Sequence, residues 1–192
     1  MMTVEDTLNL QIWNGNLIEF GVYHADTLRR LVKGFTFDEV WGFDSFQGLP
    51  ADAINDGNPD WREGSFNVLL DDNFTDTNEA MAYIRAKVRH PKLSLVEGWF
   101  KDSLTADIGK KLAGTCSYAH IDTDIFSSTL DCLNWLFKYR VMKPGCIMRF
   151  DDWASGLQYN SGQPKAFHLA TATFLPSLER IGLNVWRLHD YS

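Results

Sequence analysis

Apolar positions along this chain alternate between two spacings. Short runs dense in β-branched and aromatic residues occupy 17–23 (LIEFGVY), 40–46 (VWGFDSF), 93–99 (LSLVEGW), 117–122 (SYAHID), 145–150 (GCIMRF) and 184–188 (NVWRL), and they read as strands. Between them, 26–33, 78–89, 102–112, 129–139 and 165–181 carry the three-to-four spacing of amphipathic helices. Strands separated by helices have to run parallel, with each helix crossing over a face of the sheet. The expected architecture is α/β: a doubly wound, mostly parallel, Rossmann-like sheet forming a single domain over 1–192. No internal repeat and no low-complexity segment interrupts it.

In open α/β sheets, ligands bind beyond the carboxyl ends of the strands, near the switch in strand order. The residues there are 19–21, Asp44, Gly98 and Trp99, 122–124, and Asp151 with Asp152, and acids recur among them. The first strand-to-helix turn reads EFGVYHADT over 19–27. Gly21 would let the backbone approach a ligand closely, and the next helix offers free N–H groups. With His24 and Ala25 where further glycines would stand, this is not the GxGxxG of dinucleotide enzymes. The competing reading is an ordinary turn with Asp26 as helix cap. Asp44 closes the second strand, where a carboxylate can accept both hydroxyls of a ribose, unless it serves only its own turn. Phe46 could lie against an adenine ring.

The acids after the fourth and fifth strands are the sharpest feature: HIDTD over 120–124 and the pair Asp151–Asp152. Adjacent strands would bring these carboxylates together, and several ionised carboxylates in one place require a cation or a raised pKa. Oxygen donors without cysteine point to Mg²⁺, Ca²⁺ or Mn²⁺ rather than zinc. The alternative is that they cap the following helices. Asp122–Thr123–Asp124 is also a DxD, which would suit a metal-dependent glycosyltransferase. His120 lies inside a strand and reads as packed core. His24 could meet a ligand carboxylate, and His168 could border the substrate pocket.

Composition narrows the partners. With 45% hydrophobic and 22% charged residues the chain is globular in character. A net charge of −7 without any Lys/Arg run argues against nucleic acid. No basic leader and no apolar stretch of the roughly 20 residues needed for a membrane span is visible. Cys116, Cys132 and Cys146 sit in apolar contexts and fit no metal or redox spacing, which suits a reducing, cytoplasmic setting.

The strings EFGVYHADTLRRL, VWGFDSFQGLP, VEGWFKDSL, AHIDTDIFSSTLDCLNWLF and PGCIMRFDDW, followed by GQPKAF, together resemble the macrocin O-methyltransferase family. Those are metal-dependent class I methyltransferases acting on sugar or phenolic hydroxyls. The resemblance spans about residues 17–167. It implies S-adenosylmethionine as cofactor, with Glu19, Gly21 and Tyr23 in the cofactor turn and Asp44 on the ribose. Ser45 and Phe46 would flank ribose and adenine, and Gly98, Trp99 and Asp102 would close the adenine side. It further implies Asp122, Asp151 and Asp152 as ligands of a divalent cation such as magnesium, with Asp122 also acting as general base and Asp124 less directly engaged. The substrate would be a small-molecule hydroxyl acceptor, with Trp13, Trp153, Tyr159 and the loop 55–73 as candidate pocket residues. The resemblance also implies an N-terminal lid and a longer C-terminal hairpin. This compact version offers about sixteen residues before its first strand and one late strand, so it could borrow cover from a partner copy as a homo-oligomer. The altered turn at His24 and Ala25 leaves a non-catalytic binding protein on the same fold as a further alternative.

Overall fold

A computed structural model describes residue 6 and residues 14–191; Trp13 lies outside them. One seven-stranded sheet runs through these residues in the order β3-β2-β1-β4-β5-β7-β6. The strands are β1 (Asn16–Phe20), β2 (Val40–Asp44), β3 (Leu93–Glu97), β4 (Cys116–Ile121), β5 (Met142–Phe150), β6 (Pro176–Gly182) and β7 (Val185–Tyr191). The first five are parallel, while β7 runs antiparallel to both β5 and β6. Chain order reverses where β1 pairs with β2 on one side and β4 on the other, so the ligand crevice is expected at the ends of those two strands.

The inner parallel strands β1, β2 and β4 are buried on both faces, which is why they read as near-continuous apolar runs, while β3 at the sheet edge is only half-buried. Side chains still alternate. Ile18, Phe20, Phe43, Ile121 and Phe150 enter one core cluster, whereas Leu17, Val40, Tyr118 and Ile147 enter the other. Among the described residues the helices are α1 (Asp26–Gly34), α2 (Val68–Asp71), α3 (Thr77–Val88), α4 (Phe100–Ser103), α5 (Ala106–Lys111), α6 (Phe126–Lys138), α7 (Trp153–Tyr159) and α8 (Gly162–Phe174). The cysteines are buried free thiols, and no described helix is long and apolar enough to cross a membrane.

The structure departs from the sequence expectation in several places. The helix expected over 165–181 stops at Phe174, Leu175 turns left-handed at φ 50°, and Pro176 opens β6. Proline lacks the N–H a helix interior needs and disfavours helical backbone before it. The chain therefore carries an antiparallel β6–β7 hairpin instead of one late strand. The single helix expected over 102–112 is two, because Thr105 accepts the Ile108 N–H and caps a fresh start. The loop 55–73 is partly ordered by a 3₁₀ turn at Ala51–Asp56 and by α2, whose N-cap Asn67 accepts two backbone N–H groups.

Candidate active site

Backbone hydrogen bonds continue one residue past the strands and align their ends in a row. The Gly98 N–H donates to the Asp44 carbonyl at 2.9 Å and Gly21 to Phe43 at 3.0 Å; Asp122 donates to Phe20 at 2.9 Å and Asp151 to Ile121 at 3.0 Å. A cavity of about 280 Å³ opens over this row. Of the residues expected there, Gly21, Tyr23, Asp44, Ser45, Gly98, Trp99, Asp122, Asp151 and Asp152 line it.

Gly21 is required by a close approach. At φ +84°, a Cβ would lie 1.7 Å from the Asp122 carbonyl oxygen. Beyond it the turn does without glycine: Tyr23 and Ala25 take left-handed backbone at φ 45° and 57°. Asp44 holds this shape, accepting the N–H groups of Val22 (2.6 Å) and Tyr23 (2.8 Å) on one oxygen and that of Phe46 (2.6 Å) on the other. Burial pushes the Asp44 carboxyl up, and these backbone donors oppose the shift. Asp44 thus organises the turn as well as facing the cavity. The Tyr23 hydroxyl donates to Asp71 at 2.8 Å and is pushed up to about 12 by burial and by that carboxylate. His24 pairs with Asp72 at 3.1 Å and so faces α2 rather than a ligand. The cap of α1 is Ala25, with Asp26 inside the first turn and paired with Lys87 at 2.9 Å.

Several expected contacts are absent from the wall. Phe46, with its backbone at φ 59°, buries its ring in the core, so it offers adenine no face; the aromatic surface comes from Tyr23, Phe66, Trp99 and Phe100. Glu19 is 1% exposed and turns inward, toward His120. Burial, then the charges of Asp122 and Asp44, raise its pKa well above the usual carboxylate range. Asp102 is exposed on α4, and His168 is exposed on α8. Trp153 packs into an aromatic cluster with Phe150, Phe167 and Trp186, and Tyr159 does not reach the cavity.

Carboxylates crowd the far side. Burial and the neighbouring Asp151 push Asp122 up to about 7, and burial with Asp122 and Asp151 pushes Asp152 up to about 8. Asp124, set aside on sequence grounds, lines the same cavity and is also raised by burial and by Asp152. Asp152 Oδ2 is buried without a hydrogen-bond partner. Such a group fits a divalent cation, which would relieve the mutual repulsion. Donor atoms of His120, Asp122 and Asp151 all lie within 4.8 Å of one another, so His120 joins two of the three expected ligands in this corner. Burial, then Arg149, pulls the His120 imidazole down to about 3, leaving it neutral.

Two supports escaped the sequence reading. Asp56 accepts the N–H of Phe126 at 2.9 Å and that of Gly162 at 2.8 Å, and also bonds the Ser161 hydroxyl. It thereby pins the starts of α6 and α8 together, but in sequence it is one more acid in a polar loop. Gln163, within the GQPKAF string, accepts the Asp152 N–H at 2.9 Å and donates to the Ile121 carbonyl at 3.0 Å. Its signal was present but unassigned.

Comparison with known proteins places this geometry. The family described as Macrocin-O-methyltransferase (TylF) matches residues 2–162. No curated protein matches the sequence significantly. Among solved structures, the O-methyltransferase NovP is 22% identical, covering 98% of this chain and 76% of NovP with a TM-score of 0.60. CalS11, a calicheamicin methyltransferase, is 19% identical over 94% of this chain and 74% of its own, with a TM-score of 0.61. A putative S-adenosylmethionine-dependent methyltransferase from Methanococcus maripaludis is 13% identical over 98% and 84%, with a TM-score of 0.54. At these identities the structural likeness speaks to the fold, which is that of class I methyltransferases.

Proposed function

This chain belongs to the macrocin O-methyltransferase (TylF) family and is an S-adenosylmethionine-dependent O-methyltransferase, and from that premise we propose that a divalent cation assists it in methylating a hydroxyl of a small molecule of sugar type. The observation that carries the proposal is the carboxyl cluster of Asp122, Asp151 and Asp152, on the same cavity wall as the Gly21–Asp44 turn. That juxtaposition supports a proton acceptor working next to a sulfonium methyl.

An alcohol is a poor nucleophile at neutral pH, and its oxygen has to line up about 3 Å behind the methyl carbon. The Gly21 backbone and Asp44 hold the cofactor, with Trp99 on the adenine side. Asp122 accepts the hydroxyl proton as the oxygen attacks. Asp122, Asp151 and Asp152 would hold the cation. When bound, a divalent ion supplies Lewis acidity that lowers the pKa of a coordinated hydroxyl. The sugar-type acceptor is supported by the family's name and by CalS11, whose apo structure is described as a TDP-rhamnose 3'-O-methyltransferase.

The test is S-adenosylhomocysteine release with panels of glycosides and catechols, run with Mg²⁺ and with a chelator. Turnover on glycosides that the chelator removes supports the proposal. Turnover unaffected by chelation would end the metal role, and activity confined to catechols would end the sugar reading.

A further inference from the structure

Beneath the carboxylates, at the ends of β4 and β5, lies a buried basic pair that the methyl-transfer chemistry does not itself require. Arg149 is 6% exposed and His120 is fully buried. The two residues are register partners on neighbouring strands. One guanidinium nitrogen, Nη1, donates to Asp151 Oδ1 at 2.6 Å and lies 3.3 Å from Nδ1 of His120. The opposite ring nitrogen, Nε2, points between Asp122 Oδ2 at 3.6 Å and Glu19 Oε1 at 4.0 Å.

A guanidinium is permanently charged and can only donate. Its contact with Nδ1 therefore needs a lone pair on that nitrogen, and a neutral imidazole with Nδ1 as acceptor carries its hydrogen on Nε2. A hydrogen-bearing Nε2 has no lone pair for a metal. It is instead a donor facing two carboxylates, beyond bonding distance from either in this arrangement and able to tighten on Asp122 when that group is charged. Proximity alone would make His120 a ligand, since its nearest ring nitrogen falls within 4.8 Å of donor oxygens on Asp122 and Asp151. The tautomer forbids it.

We propose that Arg149 is a positioning residue that locks His120 in the Nε2–H form, so that the cation site presents carboxylate oxygens only and denies Zn²⁺, Co²⁺ and Ni²⁺ the imidazole that would widen their advantage over Mg²⁺ or Mn²⁺. The inference rests on the metal reading above. Its physical basis is that imidazole nitrogen favours the later transition metals, whereas all-oxygen sites suit hard cations, and that a partner behind a ring decides which nitrogen is available.

Nitrogen NMR of ¹⁵N-histidine-labelled, metal-free protein reads the tautomer directly, and the expected result is Nε2–H for His120. Arg149→Met frees Nδ1, and Zn²⁺ and Co²⁺ should then bind about 10-fold or more tightly than to wild type. The Co²⁺ complex should acquire an imidazole signature in its visible absorption. Adding His120→Gln to Arg149→Met should abolish that gain, which a loss of packing alone would not do. An Nδ1–H tautomer in wild type, or Co²⁺ coordinated by His120 in wild type, overturns the proposal even if Arg149→Met fails to fold. A moved tautomer in Arg149→Met without gain in Zn²⁺ affinity overturns the selectivity. A wild type that binds Mn²⁺ through His120 sinks this inference alone, whereas one that binds no divalent cation removes the metal reading and this inference with it.

Discussion

At the scale of single residues, Asp122 answers to two demands. Its carbonyl oxygen closes against Gly21, and its carboxyl stands among other acids. Asp122→Asn keeps the backbone and removes the base, so turnover should fall about 10²–10⁴-fold while S-adenosylhomocysteine affinity, read by calorimetry, stays close to wild type. An active variant would take Asp122 out of the mechanism. The cluster also sets a pH dependence. Folded pKa values of about 7 for Asp122 and about 8 for Asp152 exceed the roughly 3.9 of an unfolded aspartate. The folded state then holds protons that the unfolded state releases, so stability of the metal-free protein falls as pH rises from about 4 to about 8 and levels off above. Melting curves across that window should show the decline, and Asp152→Asn should flatten it; a flat wild-type profile would contradict the raised values. The strand-end acids were legible because each follows an apolar run directly. Glu19 and Phe46 were not. A strand buried on both faces has no polar side to tell which way Glu19 points, and nothing in the string FDSF announces the left-handed backbone that swings Phe46 into the core.

At the scale of elements, the covering helices pack into the core through residues such as Leu133, Phe137 and Phe167, and a few polar contacts fix where they start. Asp56 joins the 3₁₀ turn to the starts of α6 and α8. Asp56→Ala would strand the buried Gly162 N–H and the half-buried Phe126 N–H and should cost about 2–4 kcal/mol in urea unfolding. It should also weaken cofactor binding, because the same loop carries Leu49 and Phe66 to the cavity wall. Unchanged stability would mean that the helices do not depend on this carboxylate. The five parallel strands and their crossover helices were readable from spacing alone. The hairpin was missed because apolar spacing ran on through Pro176, although the proline itself marked the break. Short elements such as α2, α4 and α7 escaped because periodicity needs more residues than they have.

At the scale of the molecule, a cofactor, and the proposed cation with it, that binds only the folded chain should stabilise it by mass action. S-adenosylhomocysteine at 100 times its dissociation constant should add about 2.7 kcal/mol. Thermal shift should register that gain, with Mg²⁺ adding to it. No shift with S-adenosylhomocysteine would contradict cofactor binding by this chain. The Asp56 clamp has one more consequence, in the order of events during synthesis. It ties residue 56 to Phe126 and to Gly162, 70 and 106 positions later. A chain leaving the ribosome can have made β1, β2 and the cofactor turn, yet the roof of the cavity cannot close until Gly162 has emerged. The nascent protein should therefore stay unable to retain its cofactor through most of its translation, and acquire that ability late and in a single step.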